Sequence, residues 1–107
     1  MSYIKLGGVR AFPNVRPDKE QGIKPLEEAS EVHGAWQEFI GHLAQDADSG
    51  RTDLSVFTEL SMEILLDEIA DIITACCNLA ASLHVTDLTP YLARCEEKNR
   101  KRGRYDA

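Results

Sequence analysis

The sequence lacks the features that mark several common protein classes. Its 107 residues include only three cysteines, and none of them forms a Cys-x-x-Cys pair. Neither a cysteine-based metal site nor a redox motif is therefore expected, and the odd count is typical of reduced thiols in a cytosolic protein. The three histidines have no ligand spacing to one another, and no Glu-x-x-His motif of the kind used by di-iron helical bundles occurs.

Long apolar runs and an excess of basic residues are also missing. No segment is apolar for long enough to suggest a signal peptide or a membrane span, so the chain is expected to be cytoplasmic, with no membrane partner. The formal charge is −6, with 18 acidic against 12 basic residues. Because nucleic-acid binding needs a basic face, no nucleic-acid partner is expected. The length suits one domain with a single core.

Glycine and proline divide the chain into an arm and a helical domain. Residues 1–22 contain Gly7-Gly8, Pro13, Pro17 and Gly22, which predicts an irregular N-terminal arm. Residues 23–107 are predicted to form a single all-α domain. Its first helix is expected to begin at Pro25, since proline suits a first turn. The helical stripe that follows consists of Leu26, Ala29, Val32, Trp36, Phe39, Ile40 and Leu43.

Two further helices are predicted after a polar loop at residues 45–53. The second runs from Leu54 or Thr58 to Leu83, with a short separate helix at 54–60 as an alternative. The third begins at Thr89-Pro90 and ends near Gly103. No strand pattern is present, so the fold class is all-α. Since the second helix is apolar over a broad arc, the helical bundle is expected to be completed by dimerisation, or as a dimer of dimers.

A short acidic phrase occurs twice, once on each of the first two predicted helices. Glu28 and Glu31 lie three apart on the first, and Glu68 and Asp71 lie three apart on the second. Residues three apart share one side of a helix, and both pairs lie in the same register beside the apolar stripes. Packing the helices together would gather four like charges, which is costly unless a hard cation with oxygen ligands binds there. The alternative is two ordinary solvated acidic faces.

These residues resemble the MazG-like group of all-α nucleoside triphosphate pyrophosphohydrolases, in particular phage and bacterial members. The first helix of that family carries EExxE, which here is Glu27–Glu31, and the next carries ExxD, which here is Glu68–Asp71. A Lys-Asn pair and a basic helix end follow at residues 97–105, in EKNRKRGRY. The resemblance covers about residues 20–105. The arm and the long spacer between the acidic motifs depart from the family, which leaves the base specificity open.

The resemblance implies an enzyme that hydrolyses nucleoside or deoxynucleoside triphosphates to the monophosphate and pyrophosphate. A water activated by Mg²⁺, for which Mn²⁺ can substitute, would attack the α-phosphorus. The implied metal ligands are Glu28, Glu31, Glu68 and Asp71. Glu27 would be an auxiliary acid that orients the nucleophilic water or holds a second metal, so the implied catalytic residues are Glu27, Glu28 and Glu31. A homodimer or homotetramer is also implied.

Other residues are candidates for contacts with the nucleotide. The resemblance places Lys98, Asn99 and Arg102 against phosphate or base. Trp36 is expected in the core or a subunit interface, with stacking on the base as an alternative. Lys24 and Asn78 are hypothesised to line the pocket. The competing functions are a phosphoribosyl-ATP pyrophosphohydrolase, a dUTP- or dCTP-specific relative, and a non-enzymatic helical interaction module.

Overall fold

Three helices and an extended N-terminal arm make up the chain in a computed structural model, which describes residues 2–106. The helices are α1 (Lys19–Asp48), α2 (Val56–Ser82) and α3 (Thr89–Lys101). Residues 2–106 contain no strand, so the all-α prediction is confirmed. Among these residues, no helix combines the length and the apolar character needed to cross a membrane. α2 is one continuous helix, without a separate segment at 54–60.

α1 begins six residues before the predicted start at Pro25. Asp18 caps the helix, and its carboxylate accepts the backbone N–H of Gln21 at 2.9 Å. The Asp18-x-x-Gln21 spacing is that of a capping box, which satisfies backbone donors at a helix start. Pro25 lies inside α1 and removes one backbone hydrogen bond without ending the helix. The irregular part of the arm therefore ends at Asp18, four residues before the expected boundary at Gly22.

Left-handed residues end all three helices. Gly50 after α1 and Gly103 after α3 each have a φ of 71°, and Gly103 ends the last helix as predicted. His84 takes the same position after α2 with a φ of 62°, a conformation that costs a residue with a side chain about 1 kcal/mol or more. α1 runs to Asp48, so the first part of the predicted loop at 45–53 is helical.

A buried aspartate joins the end of α1 to the start of α2. Oδ2 of Asp46 accepts the backbone N–H of Ser55 at 2.9 Å and the hydroxyl of Thr58 at 2.6 Å. Ser55 in turn caps α2, since its Oγ accepts the backbone N–H of Thr58 at 3.2 Å. The pKa of Asp46 lies below its usual value. The largest cause is the hydrogen bond from Ser55 N–H, and the next is that from the Thr58 hydroxyl. These bonds fix the turn that makes α1 and α2 antiparallel.

Replacing Asp46 with asparagine is expected to lower the thermal midpoint at pH 7 by roughly 5–10 °C. Because folding lowers the pKa of Asp46, its stabilising contribution is present above about pH 4 and is lost as the pH falls through the folded-state pKa. The difference between wild type and variant should therefore shrink on going from pH 7 to pH 3. Thermal melts at several pH values measure it, with the exposed Asp48→Asn as control. Equal midpoints at pH 7 would contradict this role.

The face between α1 and α2 is mostly polar. Ala75 is the one apolar residue among the buried residues of the described chain. The other buried side chains are those of Glu28, Asp46, Thr58, Ser61, Asn78 and Ser82. Burial of apolar area is the main force that holds helices together, and polar groups must be partnered to be buried without cost. Other apolar residues of the two helices, such as Val32, Phe39 and Leu65, are half-buried, so the hairpin depends on its polar contacts as well as on apolar burial.

Several residues of the apolar stripes are left uncovered. Trp36 is 47% exposed, and Leu26, Ile40 and Leu43 are exposed with it, so the stripe of α1 does not form a core within one chain. Within residues 2–106, α3 packs on neither α1 nor α2. The accessible surface is 8732 Å², against about 6,000 Å² for a compact monomer of this mass. The radius of gyration is 17.4 Å, against about 13 Å for a compact domain of this length.

Candidate metal centre

Three carboxylates from two helices meet between α1 and α2. Glu28 projects from α1, and Glu68 and Asp71 project from α2, with ligand oxygens that all lie within 4.8 Å of one another. The antiparallel hairpin places residue 28 opposite residues 68–71, and a spacing of three keeps Glu68 and Asp71 on one side of their helix. The acidic repeat thus converges in three of the four positions that the sequence indicated.

Two oxygens of this cluster are buried without a partner. Glu28 is only 9% exposed, and Oε2 of Glu28 and Oε2 of Glu68 accept no hydrogen bond from any described residue. Buried carboxylate oxygens are nearly always hydrogen-bonded, because an unpartnered buried charge is costly. A divalent cation would satisfy both oxygens at once. An all-oxygen donor set of this kind fits Mg²⁺, Mn²⁺ or Ca²⁺.

Lys24 offsets part of the charge of the cluster. Its Nζ lies 3.5 Å from Oε2 of Glu27 and 3.5 Å from Oε1 of Glu28. The Glu27 carboxylate, and then that of Glu28, raises the pKa of Lys24. The ammonium group contacts the outer oxygen of Glu28 and leaves the buried Oε2 free. Lys24 therefore does not replace a cation at the centre of the cluster.

Glu31 and Glu27 lie outside the three-carboxylate cluster. Glu31 is exposed because, three residues after Glu28, it is turned about 60° further around α1. The expected four-carboxylate cluster is therefore incomplete in its first-helix part. Glu27 is also exposed, and its carboxylate is held by Lys24 at the edge of the site. Its role as an auxiliary acid, and that of Glu31 as a ligand, stay predictions.

A cavity of about 820 Å³ opens beside the carboxylates, within the size range of small-molecule sites. Its walls are residues 12–16 of the arm, the first part of α1 as far as Glu28, and the side chains of Asp71, Ala75 and Asn78 on α2. Both Lys24 and Asn78 line it, as hypothesised from the sequence. The arm was not predicted to form a wall. The signal in the sequence was the capping box at Asp18. It starts α1 early and so brings the arm next to the cavity.

The cavity has an excess of negative charge. Five carboxylates line it, those of Asp18, Glu20, Glu27, Glu28 and Asp71. The basic side chains that line it are those of Arg16 and Lys24. A polyphosphate would be repelled by this surface unless cations entered with it. The charge balance therefore favours a ligand that carries a metal ion.

The predicted nucleotide contacts on α3 do not reach this cavity. Lys98 and Arg102 line a separate shallow hollow on α3 itself. The side chain of Asn99 contacts its own helix, with its Nδ2 3.6 Å from Sγ of Cys95. Because α3 packs on neither of the other helices, these side chains cannot complete the site of their own chain. The arm passes α3 at Tyr3, where a hydrogen bond to Glu96 raises the pKa of the tyrosine hydroxyl.

Trp36 also lies away from the carboxylates. Its indole stacks on the imidazole of His33, with ring centroids 5.7 Å apart, and neither ring lines the cavity. Trp36 is therefore not placed to stack on a base in the cavity of its own chain. Its exposure is consistent with the subunit-interface alternative.

No protein-family model, curated protein or solved structure matches this chain.

Proposed function

We propose that this chain is a Mg²⁺-dependent nucleoside triphosphate pyrophosphohydrolase that releases the monophosphate and pyrophosphate. The observation that carries the proposal is the pair of unpartnered buried oxygens of Glu28 and Glu68, within a cluster of three carboxylates beside the cavity. A divalent cation would satisfy these groups, and the cavity lies within the size range of small-molecule sites. The resemblance of the two acidic motifs to the MazG-like group supplies the reaction class.

Glu28, Glu68 and Asp71 would hold the ion, and Glu31 would join them by rotating its exposed side chain inward. When bound, Mg²⁺ would neutralise charge on the triphosphate and lower the pKa of water, and Mn²⁺ would act similarly on the same oxygen ligands. Without a bound cation, the carboxylates of the cluster repel one another. Substrate and cation are therefore expected to bind together.

The remaining charged residues at the cavity have separate roles in this proposal. Glu27, at the solvent edge, would orient the attacking water and accept its proton. Lys24 and Arg16 line the cavity beside the carboxylates and would contact phosphate oxygens through charge-assisted hydrogen bonds. Release of Lys24 from Glu27 and Glu28, once the cation satisfies the carboxylates, would make its ammonium group available for that contact.

We also propose a homodimer or homotetramer as the functional unit. The support is the uncovered apolar stripe of α1, the unpacked α3 and an accessible surface far above that of a compact monomer. A second copy that covered these faces would bring its own α3 close to the hairpin. Lys98, Asn99 and Arg102 would then contact a nucleotide bound by the neighbouring chain.

Pyrophosphate release from a panel of canonical and modified nucleotides tests the function. The panel includes ribo- and deoxyribonucleoside triphosphates, dUTP, dCTP and phosphoribosyl-ATP, each with Mg²⁺ and with EDTA. We expect equal amounts of pyrophosphate and monophosphate with Mg²⁺, and no rate above background in EDTA. The nucleotide that reacts best separates the general enzyme from the specialised relatives. A folded protein that releases nothing from any of them would contradict the proposal and favour the non-enzymatic interaction module.

A further inference from the structure

One hydrogen bond ties the N-terminal arm to α2 across the cavity. The backbone N–H of Phe12 donates to Oδ1 of Asn78 at 2.8 Å, between residues 66 positions apart in sequence. Asn78 is only 2% exposed, and both residues line the cavity. A backbone N–H can only donate, so it must meet the oxygen end of the carboxamide. This contact fixes the orientation of the Asn78 side chain.

The other end of the carboxamide is a donor for which the described chain supplies no acceptor. With Oδ1 held by the arm, Nδ2 carries two N–H groups, and no hydrogen bond joins it to a residue in the described range 2–106. The fully buried atoms without a partner in the described chain belong to Glu28 and Glu68, so Nδ2 stays accessible from the cavity that Asn78 lines. Asn78 therefore offers hydrogen bonds to a molecule inside the cavity.

The position of Asn78 along α2 indicates which part of a nucleotide it would contact. Asp71, Ala75 and Asn78 all line the cavity, and seven residues of helix separate the first from the last by about 10 Å. Ala75 between them leaves room for a ligand. The cavity extends from Glu28 and Asp71 towards the arm, and Glu31 is not among its lining residues. A nucleotide whose phosphates lie at Asp71 would thus place its nucleoside beside Asn78.

We propose that Asn78 is a specificity-determining residue that donates hydrogen bonds from Nδ2 to an acceptor on the sugar or base of the nucleotide. The inference rests on the function proposed above and adds which residue recognises the nucleoside. The arm takes part because Phe12 holds the carboxamide in the orientation that presents Nδ2. Recognition is therefore shared between the start of the chain and the middle of α2.

Two variants of Asn78 separate this role from the alternatives. Asn78→Asp keeps an acceptor for Phe12 but loses both donors and adds a charge. Asn78→Ala loses the donors and the arm contact but adds no charge. Both are compared with wild type for kcat/KM across the nucleotide panel, for inhibition by inorganic triphosphate, which has no nucleoside, and for the rise in thermal midpoint caused by Mg²⁺.

The proposal expects both variants to lose about 10–100-fold in kcat/KM for the preferred nucleotide and to discriminate less among nucleotides. Inhibition by inorganic triphosphate and the response to Mg²⁺ should match wild type in the Ala variant. A change in Asn78→Asp alone, with weaker triphosphate inhibition, would assign the effect to charge and overturn the proposal. A change in Asn78→Ala alone would leave Asn78 with only an arm-holding role and would overturn it as well.

Wild-type turnover keeps the two proposals distinguishable. If wild type releases pyrophosphate and both variants keep its nucleotide preference, the role of Asn78 is wrong and the enzymatic function stands. If wild type releases none from any nucleotide, the enzymatic function is wrong and the role of Asn78 is overturned with it. Comparing ribo- with deoxyribonucleotides, and then bases, assigns the acceptor to the sugar or the base.

Discussion

Replacing Glu28 with glutamine is expected to reduce turnover by about 10³-fold or more while stabilising the metal-free protein. Removing an outer-shell partner of a metal ligand already costs 10–100-fold, so removing a direct ligand should cost more. The variant also relieves repulsion among three carboxylates whose oxygens lie within 4.8 Å of one another. Its new amide would donate to Oε2 of Glu68, which has no partner in the described chain.

The thermal stability of the Glu28→Gln variant tests the metal centre more directly than its turnover does. In EDTA its thermal midpoint is expected to exceed that of wild type by roughly 5 °C. On addition of Mg²⁺ the wild type should gain stability by ligand linkage, whereas the variant should not. Glu63→Gln, an exposed glutamate of α2 outside the cluster, is the matched control and should behave as wild type. A Glu28→Gln protein that keeps both turnover and the Mg²⁺ response would rule out this metal centre.

Replacing Leu66 with glutamate is expected to weaken self-association by about 10²-fold or more. Leu66 lies on α2 and is 51% exposed in the single chain, where such a change would ordinarily shift stability by no more than about 0.5 kcal/mol. If a second copy covers this face, each of two symmetry-related glutamates must be buried without a partner, at a cost of several kcal/mol. Sedimentation at several protein concentrations measures the shift from oligomer to monomer.

Val56→Glu provides the matched control for Leu66→Glu. Val56 is also an exposed apolar residue of α2, but it is the first residue of the helix, where a glutamate suits the helix dipole. We expect this variant to associate as wild type does. An unchanged oligomeric state in both variants, or a monomeric wild type, would mean that the apolar face of α2 is not an interface.

The acidic repeat shows how far sequence periodicity can predict a site. The i, i+3 spacing placed Glu68 and Asp71 on one side of α2, and the hairpin turned that side towards Glu28. Periodicity also predicted that Glu31 would join the cluster together with Glu28, yet Glu31 is exposed and lies outside it. The spacing fixes angles around one helix axis, but the rotation of one helix against the other decides which of two neighbouring carboxylates faces inward.

The apolar stripes were misleading for a related reason. Apolar residues normally mark the face that packs within the chain, but Trp36 is half exposed while the polar Asn78 and Thr58 are buried. The fully buried positions are occupied mainly by small or hydrogen-bonded side chains, for which no simple periodicity exists. The hydrogen bond from Phe12 to Asn78 spans 66 positions, and a contact of that separation has no local signal in the sequence.

The exposed apolar surface and the unpacked α3 have a consequence for the cellular lifetime of a newly made chain. α1 and α2 can pair as soon as both have left the ribosome, but Tyr91 and Leu92 on α3 remain 51% and 57% exposed within the described chain. If the proposed oligomer covers this surface, a chain that has not yet assembled exposes it to chaperones and proteases. The lifetime of the protein should therefore lengthen as its concentration rises. Its steady-state level would then respond more than proportionally to gene dosage, which pulse-chase labelling at two expression levels would reveal.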